Sequence, residues 1–182
     1  MIRRNLASKA ISLAATNRAR GFTLIELIIV ITIIAILAAV ALPRLIDAQR
    51  DARIAKAKAV HGSMRSATAL ARSRCELDLA ADKTTLPPAN CQATPPFVNM
   101  DGKAIAIQNK YPAATADGID AAADLNLEAD GFTASNATSG IPTRYFDVSG
   151  GTGTGCRISY QEATLTGTLI TAPILAVITT GC

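Results

Sequence analysis

Few residues in this 182-residue chain are of types that do chemistry at close quarters. His61 is the single histidine, and Cys75, Cys91, Cys156 and Cys182 form no C-x-x-C pair. Zinc centres draw on such residues at short spacings, so that chemistry is set aside. His61 falls within a helical stretch and reads as a surface residue there, not as a ligand or base. Asp117, Asp120 and Asp124 recur at spacings of three and four, which puts them on one side of a short helix as a solvated acidic face. Gly150, Gly151, Gly153 and Gly155 have no following lysine and helix, so they form no phosphate loop and read as a flexible hairpin tip. Asn136-Ala137-Thr138 fits a glycosylation sequon, a frequent chance match. No Ser-x-x-Lys pattern or metal triad stands out. The expectation is a protein that is not an enzyme and needs no cofactor or metal. One carboxylate resists this plain reading: Glu26, in "ARGFTLIELIIV".

From Phe22 to Leu42 only Thr23, Glu26 and Thr32 are not hydrophobic. Twenty-one residues match the ~20 that span a bilayer as a helix. Residues 1 to 21 hold five basic residues and no acid. A secretory signal would use Ala39-Val40-Ala41 as a cut site and release a binding or hydrolytic domain starting at Leu42. The run is too long for such a signal, and Glu26 has no purpose in a discarded peptide. A plain anchor explains the length and the preceding cations, but again not Glu26.

Gly21-Phe22-Thr23-Leu24-Ile25-Glu26, with the apolar run and Pro43, resembles the class III signal of type IV prepilins and of the related type II secretion pseudopilins. The resemblance implies that residues 1–21 are a leader, that a membrane prepilin peptidase cuts between Gly21 and Phe22, with Arg20 and Gly21 presenting the bond, and that it N-methylates Phe22. It implies further partners: other copies of the chain in a helical homopolymer, the inner-membrane assembly platform and a secretin. No specific nucleic acid is inferred. Cutting leaves an ammonium on Phe22. Four helical residues rise ~6 Å, so Glu26 lies one turn above it. A lone charge at membrane depth costs roughly 2.5–3.5 kcal/mol and seeks a partner. The N-terminus of the next subunit is such a partner, which makes Glu26 an assembly and register device.

Residues 22–42 are thus expected to be a transmembrane and filament-core helix, 43–75 an amphipathic stem, and 76–182 a globular head. The helix is expected from about Phe22 to Arg74, with Pro43 loosening or kinking it by removing the bond to the Ala39 carbonyl. In the resembling family this region can unwind inside the filament. Val60, Met64, Ala67, Leu70 and Ala71 form the apolar stripe that meets the head's sheet. Residues 44–74 carry eight basic and two acidic residues, whereas 75–182 carry five basic and eleven acidic. A basic stem under an acidic head does not resemble a nucleic-acid-binding domain, and the stem charge suits anionic lipid or the acidic heads of neighbouring copies.

In the head, Pro87, Pro88, Pro95 and Pro96 mark a loop over 76–96, and Asp101-Gly102 marks a hairpin. A turn is expected at Tyr111-Pro112, a helix from about Gly118 to Leu125, and strands over Thr143–Val148, from Cys156, and over Ala172–Thr180. Four separated cysteines behind an export-type N-terminus read as two disulfides. Of the three pairings, Cys75–Cys91 and Cys156–Cys182 join sequence neighbours and are preferred. The fold class is α+β: a pilin fold, with a long N-terminal helix packed on an antiparallel sheet. "VNMDGKAIAIQNKYPAATADGIDAA" and "LPRLIDAQRDARIAKA" look more specifically like mannose-sensitive haemagglutinin pilins. "YPAATADGIDA" is also similar to a turn in major pseudopilins, which usually lack disulfides and carry a calcium loop. The implied role is a pilus subunit, held in the inner membrane with a periplasmic head, then exported into a surface fibre.

Overall fold

The structure, a computed structural model, describes residues 21–80, 91 and 93–182. The expected leader through Arg20, and Pro87 and Pro88 of the expected proline loop, lie outside the described residues. The architecture is α+β, a long N-terminal apolar helix followed by antiparallel sheets, which is the arrangement of a pilin fold. The helix α1 spans Leu24–Ala80 and contains Pro43. It runs past the expected end because Cys75-Glu76-Leu77-Asp78-Leu79-Ala80 holds no Gly or Pro to stop it. The chain divides into two compact units after Arg44, one residue beyond that proline.

In the first unit every described residue is exposed. Its surface is almost wholly aliphatic; Ile25 and Leu37, for example, are 62% and 65% exposed. By length and composition α1 is able to cross a membrane. Thr32 suits that surface because its hydroxyl donates to the Ile29 carbonyl at 2.8 Å, so no polar hydrogen is left for lipid to leave unpaired.

Among the described residues the second unit has nine strands: β1 Phe97–Met100, β2 Lys103–Gln108, β3 Tyr111–Pro112, β4 Phe132–Asn136, β5 Thr143–Val148, β6 Arg157–Gln161, β7 Thr164–Thr166, β8 Leu169–Thr171 and β9 Ile174–Ile178. They form antiparallel sheets of order β1-β2-β3 and β4-β5-β6-β9, plus the ribbon β7-β8. The β1–β2 turn is Asp101-Gly102, both at positive φ (49° and 77°), with Met100 opposite Lys103; this is the tight geometry that Asp-Gly favours.

The next turn is a correction. It sits at Asn109-Lys110, also both at positive φ (51° and 69°), and Tyr111-Pro112 is the returning strand β3, with Gln108 opposite Tyr111. Asn tolerates the left-handed region, and proline is accepted on an edge strand.

The upper part of α1 carries both sheets. Ala57 and Met64 pack with Phe146, Ile158 and Tyr160 beneath the four-stranded sheet. Ala71 and Cys75 pack with Val98, Ile105 and Ile107 of the three-stranded sheet. The buried helix positions are Ala57, Met64, Ala67, Thr68, Ala71 and Cys75, whose small side chains bring the strands close. Leu70, expected in this stripe, is 60% exposed: at 100° per residue it lies about 120° from Met64 around the helix. Tyr160 closes the seam between the sheets by donating to the Pro112 carbonyl at 2.6 Å. Burial pushes its phenol pKa well above the usual tyrosine range, with the nearby Glu162 adding to the rise.

Disulfides join Cys75 to Cys91 and Cys156 to Cys182, with Cα–Cα separations of 5.6 and 4.7 Å. The glycine-rich connection between β5 and β6 is a docked lock, not a free tip. Thr152 N–H donates to the Gly181 carbonyl at 2.9 Å, and Gly181 N–H to the Gly155 carbonyl at 2.8 Å. A Cβ on Gly181 would lie 2.9 Å from the Gly155 Cα, a space only glycine fits. Arg53 Nε then donates to the Cys182 carbonyl at 2.6 Å, tying this lock to α1.

The acidic face expected at Asp117, Asp120 and Asp124 is divided. The helical segment there is wide over Ala116–Asp120 and continues through Ala122, so it begins and ends before the expected Gly118–Leu125. Asp120 is buried and takes a forked contact from Arg144 of β5, 2.6 Å from Nη2 and 3.1 Å from Nε. Asp124 is exposed, and its hydrogen bond and ion pair with Lys103 hold its pKa below the usual carboxylate value. These carboxylates should therefore respond differently to removal. Asp120→Ala leaves a guanidinium unpaired at 11% exposure and is expected to cost about 3–5 kcal/mol. Asp124→Ala should cost much less, because its pair with Lys103 stands in solvent. Denaturant unfolding of both variants checks this; equal losses would contradict the division.

Candidate functional site

The segment Gly21–Glu26 is built by its own local chemistry. Thr23 precedes α1 and Glu26 is its third residue, the Thr-x-x-Glu spacing of a capping box. The Glu26 N–H donates to Thr23 Oγ1 at 3.3 Å, and Thr23 Oγ1–H approaches Glu26 Oε2 at 3.4 Å. The Leu27 N–H donates to the Thr23 carbonyl at 3.2 Å, the first bond of the helical ladder. Glu26 also gains from its place in the first turn, where the helix dipole favours an anion.

The carboxylate is only partly used. An ionised carboxylate has about four acceptor positions, and here one weak contact engages it. Among the described residues Glu26 makes no ion pair. It is the single charged group on the helical surface from Leu24 to Leu42. Before it, Phe22 is 72% exposed, and a Cβ on Gly21 would meet nothing within 4 Å. Among the described residues nothing packs against the Gly21–Phe22 bond, and the first apolar turn follows it.

The other expected site residues are separate from this one. Pro43 lies inside α1, at the edge of the apolar unit. The two disulfides belong to the second unit. His61 is half-buried on α1. Among the described residues no three His, Cys, Asp or Glu side chains gather to hold a metal. Asn136 ends β4, and its Oδ1 accepts from Arg144 Nη1 at 3.0 Å.

Two features escaped the sequence reading. Thr23 was legible, since a Thr three residues before a Glu at the start of an apolar run is a capping signal in its own right. The Asp120–Arg144 pair was not, because the partners stand 24 residues apart and meet only through the pairing of β5.

Comparisons with known proteins bear on the same segment. Residues 16–42 match the family model described as the prokaryotic N-terminal methylation motif. The chain is similar to the type IV narrow pilus major component PilA5 of Thermus thermophilus, at 54% identity over 54 residues. That alignment covers 30% of this chain and 47% of the relative, so the chain spans about half the length of the curated protein it matches. No solved structure matches.

Removing the cap should loosen the first turn. Thr23→Val is expected to weaken protection of the Glu26 amide by about 1 kcal/mol, the usual worth of an N-cap, and Thr23→Ser should keep it. Hydrogen exchange in detergent micelles measures this; equal protection in both variants would show that the hydroxyl does not cap.

Proposed function

We propose that this chain, whose N-terminal segment is that of the type IV pilin family, is a structural subunit of a type IV pilus. The leader ends at Gly21, prepilin peptidase cuts before Phe22 and methylates its nitrogen, and the apolar part of α1 holds the subunit in the inner membrane with its head in the periplasm. Assembly through an inner-membrane platform and a secretin then places it in a surface filament. The observation that carries this reading is Glu26, the lone charge on the exposed apolar stretch of α1 from Leu24 to Leu42, inside the matched methylation motif.

Cutting turns the Phe22 amide nitrogen into an ammonium, and the unused acceptor positions of Glu26 fit the ammonium of an adjoining copy. In lipid a helix gains nothing from exchanging acyl chains for another helix of the same polarity, so a charge pair supplies both attraction and depth. Proline at position 43 leaves the Ala39 carbonyl without its helical donor, and this supports a helix that gives way there during assembly. The two disulfides favour a pilus over a type II secretion pseudopilus. The resemblance to mannose-sensitive haemagglutinin pilins supports adhesion as one task, beside surface motility and DNA uptake. The acidic head makes direct binding of DNA phosphates the least favoured way of serving the last.

Two variants test the reading. Glu26→Ala is expected to give a folded, membrane-bound, processed subunit with a severalfold lower filament yield, measured by shearing and immunoblotting. Gly21→Leu should leave full-length precursor in the membrane. Normal filament yield from the first, or a mature-sized product from the second, counts against the assignment.

A further inference from the structure

Lys58, Arg65 and Arg72 recur every seven residues on α1. They therefore lie in one row along the helix, at steps of ~10.5 Å. Arg72 is committed, because its Nη1 donates to the Tyr111 hydroxyl at 2.6 Å and its Nε lies 4.0 Å from Glu76. Lys58 and Arg65 are exposed and, among the described residues, make no ion pair. Arg65, His61 and Arg72 form one wall of an open groove of about 570 Å³ whose other wall is Tyr111 and the start of β9 at Pro173–Leu175.

The same unit carries a surface of opposite sign. Residues 113–143 contain Asp117, Asp120, Asp124, Glu128 and Asp130 and no lysine or arginine. Arg144 and Lys103 neutralise Asp120 and Asp124. Asp117 and Glu128 stay exposed and, among the described residues, unpaired. Their lobe is preorganised: Asp130 N–H donates to the Asn126 carbonyl at 2.7 Å, and Phe132 N–H to the Leu127 carbonyl at 2.7 Å. No described ion pair joins this lobe to the cation row within one copy.

We propose that the Lys58–Arg65 row and its groove are the docking surface for the acidic lobe, Asp117–Asp130, of a second copy of this chain. The inference rests on the filament reading and gives that self-association a second contact, remote from Glu26. Two different faces of one molecule are complementary, so the contact is heterologous and propagates as an open assembly. Charge complementarity of this kind selects orientation and partner more than it adds affinity. Exposed pairs are screened by salt, so the contact weakens as ionic strength rises.

Zero-length carbodiimide coupling of the processed full chain, with isotope-labelled and unlabelled copies mixed, tests the contact. The expected result is mixed-label coupling of Lys58 to Glu128 or Asp117, falling severalfold at high salt. Arg65→Glu should lower that yield severalfold with both disulfides intact, and adding Asp117→Arg should restore it. Absence of mixed-label coupling, or coupling indifferent to salt and to Arg65→Glu, overturns the proposal. So does an Arg65→Glu variant that loses only binding to anionic lipid vesicles, since the row would then serve a membrane surface. Filament yield is scored separately: coupling without filaments refutes the function proposed above while sparing this contact, and filaments without coupling do the reverse.

Discussion

An aliphatic helix surface with nothing against it is the constraint on which the rest depends. From Phe22 to Leu42 the chain presents side chains that are all exposed, and fully covering each large one is worth roughly 1.5–3 kcal/mol. No surface ion pair, at about 0.2–1 kcal/mol, competes with that. The segment must lie in lipid or against its own kind. Lipid satisfies the area but gives no reason for one copy to find another. Glu26, held at the helix start by Thr23, is the one charge on that surface and the group on which the proposed self-association turns. In the proposed filament, burial of this apolar surface among neighbouring copies would outweigh any surface ion pair.

The second unit answers a different need. Its sheets are small, and its core relies on alanines at 57, 67 and 71 that let strands approach α1 closely. Covalent closure compensates for the modest core. The 26-residue separation of Cys156 and Cys182 restricts the unfolded chain by roughly 3–4 kcal/mol on the loop-entropy model. Gly155 and Gly181 dock the same region, and Arg53 ties it to the helix.

Local rules wrote much of this structure into the sequence. The apolar run, the Asp101-Gly102 hairpin and strand β5 depend on neighbours a few residues away, and they were readable. Leu70 was misplaced because its spacing was matched to Ala67 and Ala71, whereas helix geometry turns it about 120° from Met64. The turn at Asn109-Lys110 was hidden by the proline beside it, which proved to be an edge-strand residue. Strand β4 has five residues and the ribbon strands β7 and β8 three each, too few to show a clear alternation. Asp120 read as solvated because its partner is distant in sequence, and the glycine run read as loose because its contact with Gly181 forms only when the chain folds. At the N-terminus the methylation motif was legible, whereas the unused acceptor capacity of Glu26 needed the hydrogen bonds themselves.

The central claim is that the apolar helix is retained, trimmed at one bond and buried among identical copies. Intact-mass and N-terminal analysis of the protein sheared from cell surfaces tests it most directly. The account predicts a filamentous product that begins at a methylated Phe22 and retains the whole apolar run. A soluble, unassociated protein beginning at Leu42 would contradict it.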